Sequence, residues 1–132
     1  MASLFVNGQD DFLEQYHWKN RIVLLFGAGA DPDIKKQIEE LESEPEGISD
    51  RDLLIFHIDQ EVELLNGKAS QTDVTAAQFR AKYNVPEDQF RYILLGKDGR
   101  TKYSKKEFVP NRKLFAIIDA MPMRQREMRE KD

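Results

Sequence analysis

The places where this chain has the means for chemistry are few. It holds no cysteine and only two histidines, His17 and His57. The missing thiol removes disulfides, thiolate metal sites and thiol catalysis together. The most promising stretch is Gly27-Ala28-Gly29-Ala30 followed by Asp31-Pro32. A loop that opens a helix collects unpaired backbone N–H groups and the positive end of the helix dipole. A phosphate-cradle reading of it lacks the lysine of a P-loop and the third glycine of a dinucleotide fingerprint. Asp31 is fully explained as an N-cap, and a carboxylate neither exchanges thiols nor reduces peroxide. His57 alternates with Phe56 and Ile58, so it either faces the polar side of an edge strand or is a satisfied buried histidine. Two distant histidines and unassigned acids do not make a zinc ligand set, and no serine, histidine and acid arrangement has motif support. No catalytic residue, metal ligand or cofactor is assigned on these grounds.

The cations are a different matter. Lys19 and Arg21 with Arg51, Lys97 and Arg124 form a candidate set for an anionic ligand or partner. Structural roles compete with that reading: Arg51-Asp52 as an ion pair at a strand entrance, and Asp119 with Arg124 as a brace after the last core helix. The overall charge of −4 conceals a segregation by sign. Residues 31–63 carry twelve acids against three bases, and residues 91–113 carry eight bases against two acids. The aromatics interleaved in the basic stretch are also what strand alternation produces, and the negative total argues against a dedicated nucleic-acid binder.

What must position these residues is a strand, a loop and a helix. Ile22 to Phe26 is an unbroken apolar run, as expected for a strand buried on both faces. Asp31 caps and Pro32 starts a helix whose Ile34, Ile38 and Leu41 recur at helical spacing. A surface loop is expected from Glu42 to Asp50, then a parallel strand from Leu53 to Ile58. Residues 59–72 read as a long loop holding a short apolar turn. Thr75 and Gln78 form a capping box, and Val74 with Phe79 suits a hydrophobic staple. That helix should end at Asn84, a good left-handed cap ahead of Pro86. Phe90 to Leu95 and Arg100 to Ser104 read as a hairpin about the turn Lys97-Asp98-Gly99, its second strand protected by edge lysines. Pro110 opens the last core helix and Pro122 ends it, leaving a charged tail that either docks on a partner or folds back. Before the first strand, Asp10 to Tyr16 suits a short amphipathic helix, and Trp18, the only tryptophan, is expected to pack across the end of the sheet.

The order is β-α-β-α-β-β-α with an extra N-terminal helix and a helical C-terminal tail, a thioredoxin-like α/β arrangement. With 132 residues, 40% of them hydrophobic, one domain over 1–132 is expected, its core at about 20–121 and its tail at 122–132. No apolar run approaches a membrane span, and no signal peptide opens the chain. The chain therefore reads as soluble, cytoplasmic as it stands and periplasmic or secreted if a leader was removed.

Several of these blocks together resemble a known family: Trp18-Lys19-Asn20-Arg21, Asp31-Pro32 with Gln37, Arg51-Asp52, Gly96-Lys97-Asp98-Gly99, and Ile118-Asp119-Ala120-Met121-Pro122-Met123-Arg124. The chain resembles a bacterial family of unknown function, nicknamed P-DUDES and described as peroxiredoxin-like. The same domain is also found in animal sushi-repeat-containing extracellular proteins. The resemblance implies a thioredoxin or peroxiredoxin-like fold and carries no established activity. It also implies that Gly29, Ala30 and Asp31 occupy the loop where redox relatives place their nucleophilic cysteine. The functional expectation is a non-redox module for a protein or polyanion partner. The alternative is a thiol-independent enzyme, metal-assisted or not, working from the Asp31 region. A homodimer through the hairpin edge or the tail is a third expectation.

Overall fold

The computed structural model describes residues 12–68 and 74–131. The proposed cap at Asp10 lies outside them. Five strands form one sheet: β1 (Arg21–Phe26), β2 (Leu53–Ile58), β3 (Val62–Leu64), β4 (Arg91–Leu95) and β5 (Thr101–Lys105). Their spatial order is β3-β2-β1-β4-β5. β1 and β2 are parallel, and every other neighbouring pair is antiparallel. The helices are α1 (Pro32–Glu42), α2 (Pro45–Asp50), α3 (Ala76–Tyr83), α4 (Asn111–Asp119) and α5 (Pro122–Lys131).

The apolar run of β1 does what its composition requires. Its side chains alternate between two separate cores, Ile22, Leu24 and Phe26 on one face and Val23 and Leu25 on the other. The first core is closed by Phe12, Leu13 and α3 through Phe79. The second is closed by α1, α2 and α4 through Ile34, Leu41, Ile48, Leu114 and Ile118. Gly27 admits this packing, because a Cβ there would strike Ile34 and its φ of 152° disfavours a side chain.

Local signals hold where chemistry supports them. Asp31 accepts from the Asp33 N–H at 2.9 Å, the Thr75–Gln78 capping box is reciprocal, and Asn84 is left-handed with φ 56°. Buried Gln37 exchanges two hydrogen bonds with the backbone of Val109, at 2.9 and 2.8 Å, and so ties the segment before α4 to α1. The Glu40 carboxylate accepts from the Asn111 N–H at 2.7 Å and caps α4 in place of a side chain from the preceding residue.

Three expectations are corrected. The stretch read as a loop over 42–50 contains α2, because Pro45 pre-sets the first helical φ and Ile48 finds a buried place. The stretch read as a loop over 59–72 contains β3, where Val62 and Leu64 turn to the first core and Glu63 points away. Trp18 does not pack across the sheet: it is 65% exposed. Among the described residues no helix is long and apolar enough to cross a membrane.

Candidate functional site

The loop after β1 sits at the C-terminal ends of β1 and β2. Two groups that the sequence left unassigned meet it there. His57 is buried, with its Nε2 2.9 Å from the Gly27 carbonyl oxygen, and the Asp59 carboxylate accepts from the Gly29 N–H at 2.9 Å. His57 is thus a satisfied buried histidine. Asp59 occupies the amide that a bound phosphate would need, and Asp31 occupies the next free donor of the helix start. At Gly29, Ala30 and Asp31, where an anion would meet backbone donors, one carboxylate thus holds the Gly29 amide and another the Asp33 amide. Asp59 and His57 both approach Gly29 and offer proton transfer in principle, but both are engaged by backbone.

The opposite end of the sheet gathers the other motif residues. β1 begins there at Arg21, β2 is entered through Arg51 and Asp52, and β4 leaves through Gly96 and Lys97, since Ile22 pairs with Leu95. Helix α5 then crosses beneath and supplies Arg124, Glu127 and Lys131. Glu127 accepts from Arg21 at 3.1 and 3.3 Å and from Lys97 at 2.8 Å. Lys97 also reaches Asp52 at 2.9 Å. Arg124 joins Asp119 at 3.0 Å and Asp50 at 2.6 Å, while Arg51 grips Asp119 with two hydrogen bonds at 3.0 and 2.8 Å and stacks on Phe115. Lys131 closes on Asp50. Arg51 thus pairs with Asp119 and not with its neighbour Asp52, whereas the Asp119–Arg124 brace is present.

Four of the five candidate cations, Arg21, Arg51, Lys97 and Arg124, stand in this one network, three of them buried. Lys19 stands apart and is exposed. The network leaves its mark on the acids. Burial would raise Glu127, yet hydrogen bonds from Lys97 and Arg21 outweigh it and hold the carboxyl below its ordinary value. The same contest, settled by Arg51 and Arg124, lowers Asp119. Asp50 is held down to about 2 by Lys131 and Arg124. The tail is consequently folded back onto its own sheet, as one of the two sequence readings of it required.

Beside the network lies a groove of about 560 Å³. Trp18, Ile117, Met121, Pro122 and Met123 give it an apolar lining, and Lys102 and Arg126 are among its charged residues. Trp18 has φ 68°, unusual for an aromatic residue, and its N–H donates to the Lys97 carbonyl at 2.7 Å. That bond fixes the turn from which the indole projects. Lys102 shares its charge with Asp98 at 3.0 Å, and the Arg126 side chain has no hydrogen bond or ion pair among the described residues. A wider depression of about 800 Å³ along α3, between Asp59 and Arg80, has a more polar lining that includes Gln60, Asn84 and Glu87. The exposed Trp18 was missed because a lone tryptophan before a strand is ordinarily buried. The one cue was the polar Lys19-Asn20-Arg21 that follows it.

The sheet order with α1 and α4 on one face and α3 on the other defines a thioredoxin-like fold. A thioredoxin-fold protein from Helicobacter pylori is similar, with a TM-score of 0.50 at 12% identity over 84% of this chain and 80% of that one. At that identity the likeness concerns the fold alone. The chain belongs to the family described as a domain of unknown function, DUF4174, whose model matches residues 12–127. This agrees with the resemblance read from the sequence. No curated protein matches the chain.

Proposed function

We propose that the chain is a non-redox binding module that takes a protein or anionic partner at the groove beside Trp18. The observation that carries this reading is the 65% exposure of Trp18 on a backbone turn held by Lys97. Leaving so large an apolar surface in water forgoes a stabilisation of about 2 kcal/mol that burial would supply. A partner that covers the indole recovers it. The loop after β1 supports the same reading from the other side, since it holds no thiol and its free amides are met by the protein's own carboxylates.

The test is a titration of isotope-labelled chain with heparin, polyphosphate and short acidic and basic peptides, followed by NMR. Saturable displacement of the Trp18 indole N–H together with the amides of Lys97, Met121 and Met123 is expected. Shifts confined to Gly27–Asp31 would overturn the proposal.

A second reading is favoured by the meeting of His57, Asp59 and Asp31 at that loop: a thiol-independent enzyme. It requires Asp31→Asn to remove turnover of peroxide, ester or phosphoester substrates while stability stays unchanged, because asparagine caps a helix as well as aspartate. Turnover indifferent to that change, or none at all, excludes it.

A further inference from the structure

Resting on the binding-module reading, we infer that the occupant of the groove is an acidic peptide segment carrying one apolar anchor side chain. Two independent features of the groove select it. The first is the apolar lining. Met121 and Met123, on either side of Pro122, share the groove with the Trp18 indole, and methionine is the side chain that best remodels itself around an inserted ring or branched chain. A cleft of about 560 Å³ that includes an indole in its lining has ample room for such an anchor together with the backbone on either side of it. The second is the charge. The cations of the interior network are each met by Asp50, Asp52, Asp119 or Glu127, so they contribute little net field at the groove. The positive charge that remains is on Arg126 and on Lys102, which shares its charge with Asp98, and exposed Lys19 follows Trp18 in the chain. Acidic residues flanking the anchor complement that charge and steer the encounter.

Other occupants fit less well. A polyanion without an anchor satisfies those cations and leaves the indole in water. A second copy presenting its own acidic α1 and α2 offers little anchor, since Ile34, Leu41 and Ile48 of those helices are buried in its own core.

The experiment is a selection of random short peptides on the folded chain, with the Trp18→Ala variant as counter-selection and enriched peptides measured by calorimetry. Because Trp18 is exposed, Trp18→Ala keeps the circular dichroism spectrum of the parent. Enriched sequences are expected to place acids on either side of an aromatic or branched aliphatic residue. Their affinity should fall about tenfold or more in Trp18→Ala and in Arg126→Glu, recover partly in Trp18→Phe, and weaken as salt is added. Basic or anchorless winners, equal binding to the Trp18→Ala chain, or self-association lost in Trp18→Ala would overturn the inference. The NMR titration separates this failure from the larger one: heparin or polyphosphate moving the Trp18 indole resonance keeps a binding module and discards the peptide.

Discussion

Asp31 and Arg21 show two ways in which a charged side chain serves a fold. Asp31 satisfies one backbone donor at the start of α1. Asp31→Ala is expected to cost about 1 kcal/mol, a fall of about 3–5 °C in thermal midpoint, measured by circular dichroism. Arg21 is buried and its guanidinium faces Glu127, so its loss leaves that carboxylate to Lys97 and, at 4.0 Å, to Arg124. Arg21→Met should destabilise by about 3 kcal/mol, and a double-mutant cycle with Glu127→Gln should return a coupling of about 1–3 kcal/mol. Additive effects would mean that the pair acts through packing alone. Asp31 was legible in the sequence because capping is local: the acid, the proline and the apolar period lie within a few residues. The partners of Arg21 and Lys97 were not, because Glu127 lies 106 and 30 positions away. The sequence announced the cations and, Asp119 beside Arg124 apart, hid their counterions.

Helix α5 is the element most dependent on charge. Its amphipathic character is slight, and its one fully buried side chain is that of Arg124. Its attachment rests on Glu127, Asp119 and Asp50, all with lowered pKa values. Groups whose folded values lie below the unfolded ones stabilise the native state above the unfolded values and lose that contribution as pH falls through the folded ones. The unfolded references are 4.5 for Glu127 and 3.8 for the two aspartates. Docking of α5 should therefore be intact above about pH 5 and weaken progressively as pH falls from the mid-fours toward about 2. Trp18 emission reports it, because the indole shares a groove with Met121 and Met123. An emission signal flat across that window while the rest of the protein stays folded would contradict the assignment. Secondary elements with strong local grammar, such as α1 and α3, were readable. Short ones were not: α2 and β3 owe their existence to tertiary pockets for Ile48, Val62 and Leu64, which no local pattern announces.

At the scale of the molecule, both cores hang on β1, which contributes alternate side chains to each. Loss of either face should therefore undo the other. Thermal unfolding is expected as one cooperative transition, with coincident midpoints by far-ultraviolet circular dichroism and Trp18 emission at neutral pH; separated midpoints would mean that the two faces melt independently. The parallel β1–β2 pair and the β4–β5 hairpin followed from the sequence because hydrophobic run length and turn chemistry determine them. What the sequence did not reveal is that four of its five recognisable blocks, all but Asp31-Pro32 with Gln37, converge at one pole of the sheet, since convergence is a property of register. That pole and the loop at Gly27–Asp31 are separated by the length of β1, six residues or roughly 20 Å. Sites so far apart, with no shared partners, respond to change independently. The two ends of the sheet are in that sense separable: a reactive group grafted at position 31, where Asp31→Cys would set a thiol on a helix N-terminus, can be altered, labelled or lost without the charged network at the other pole registering it.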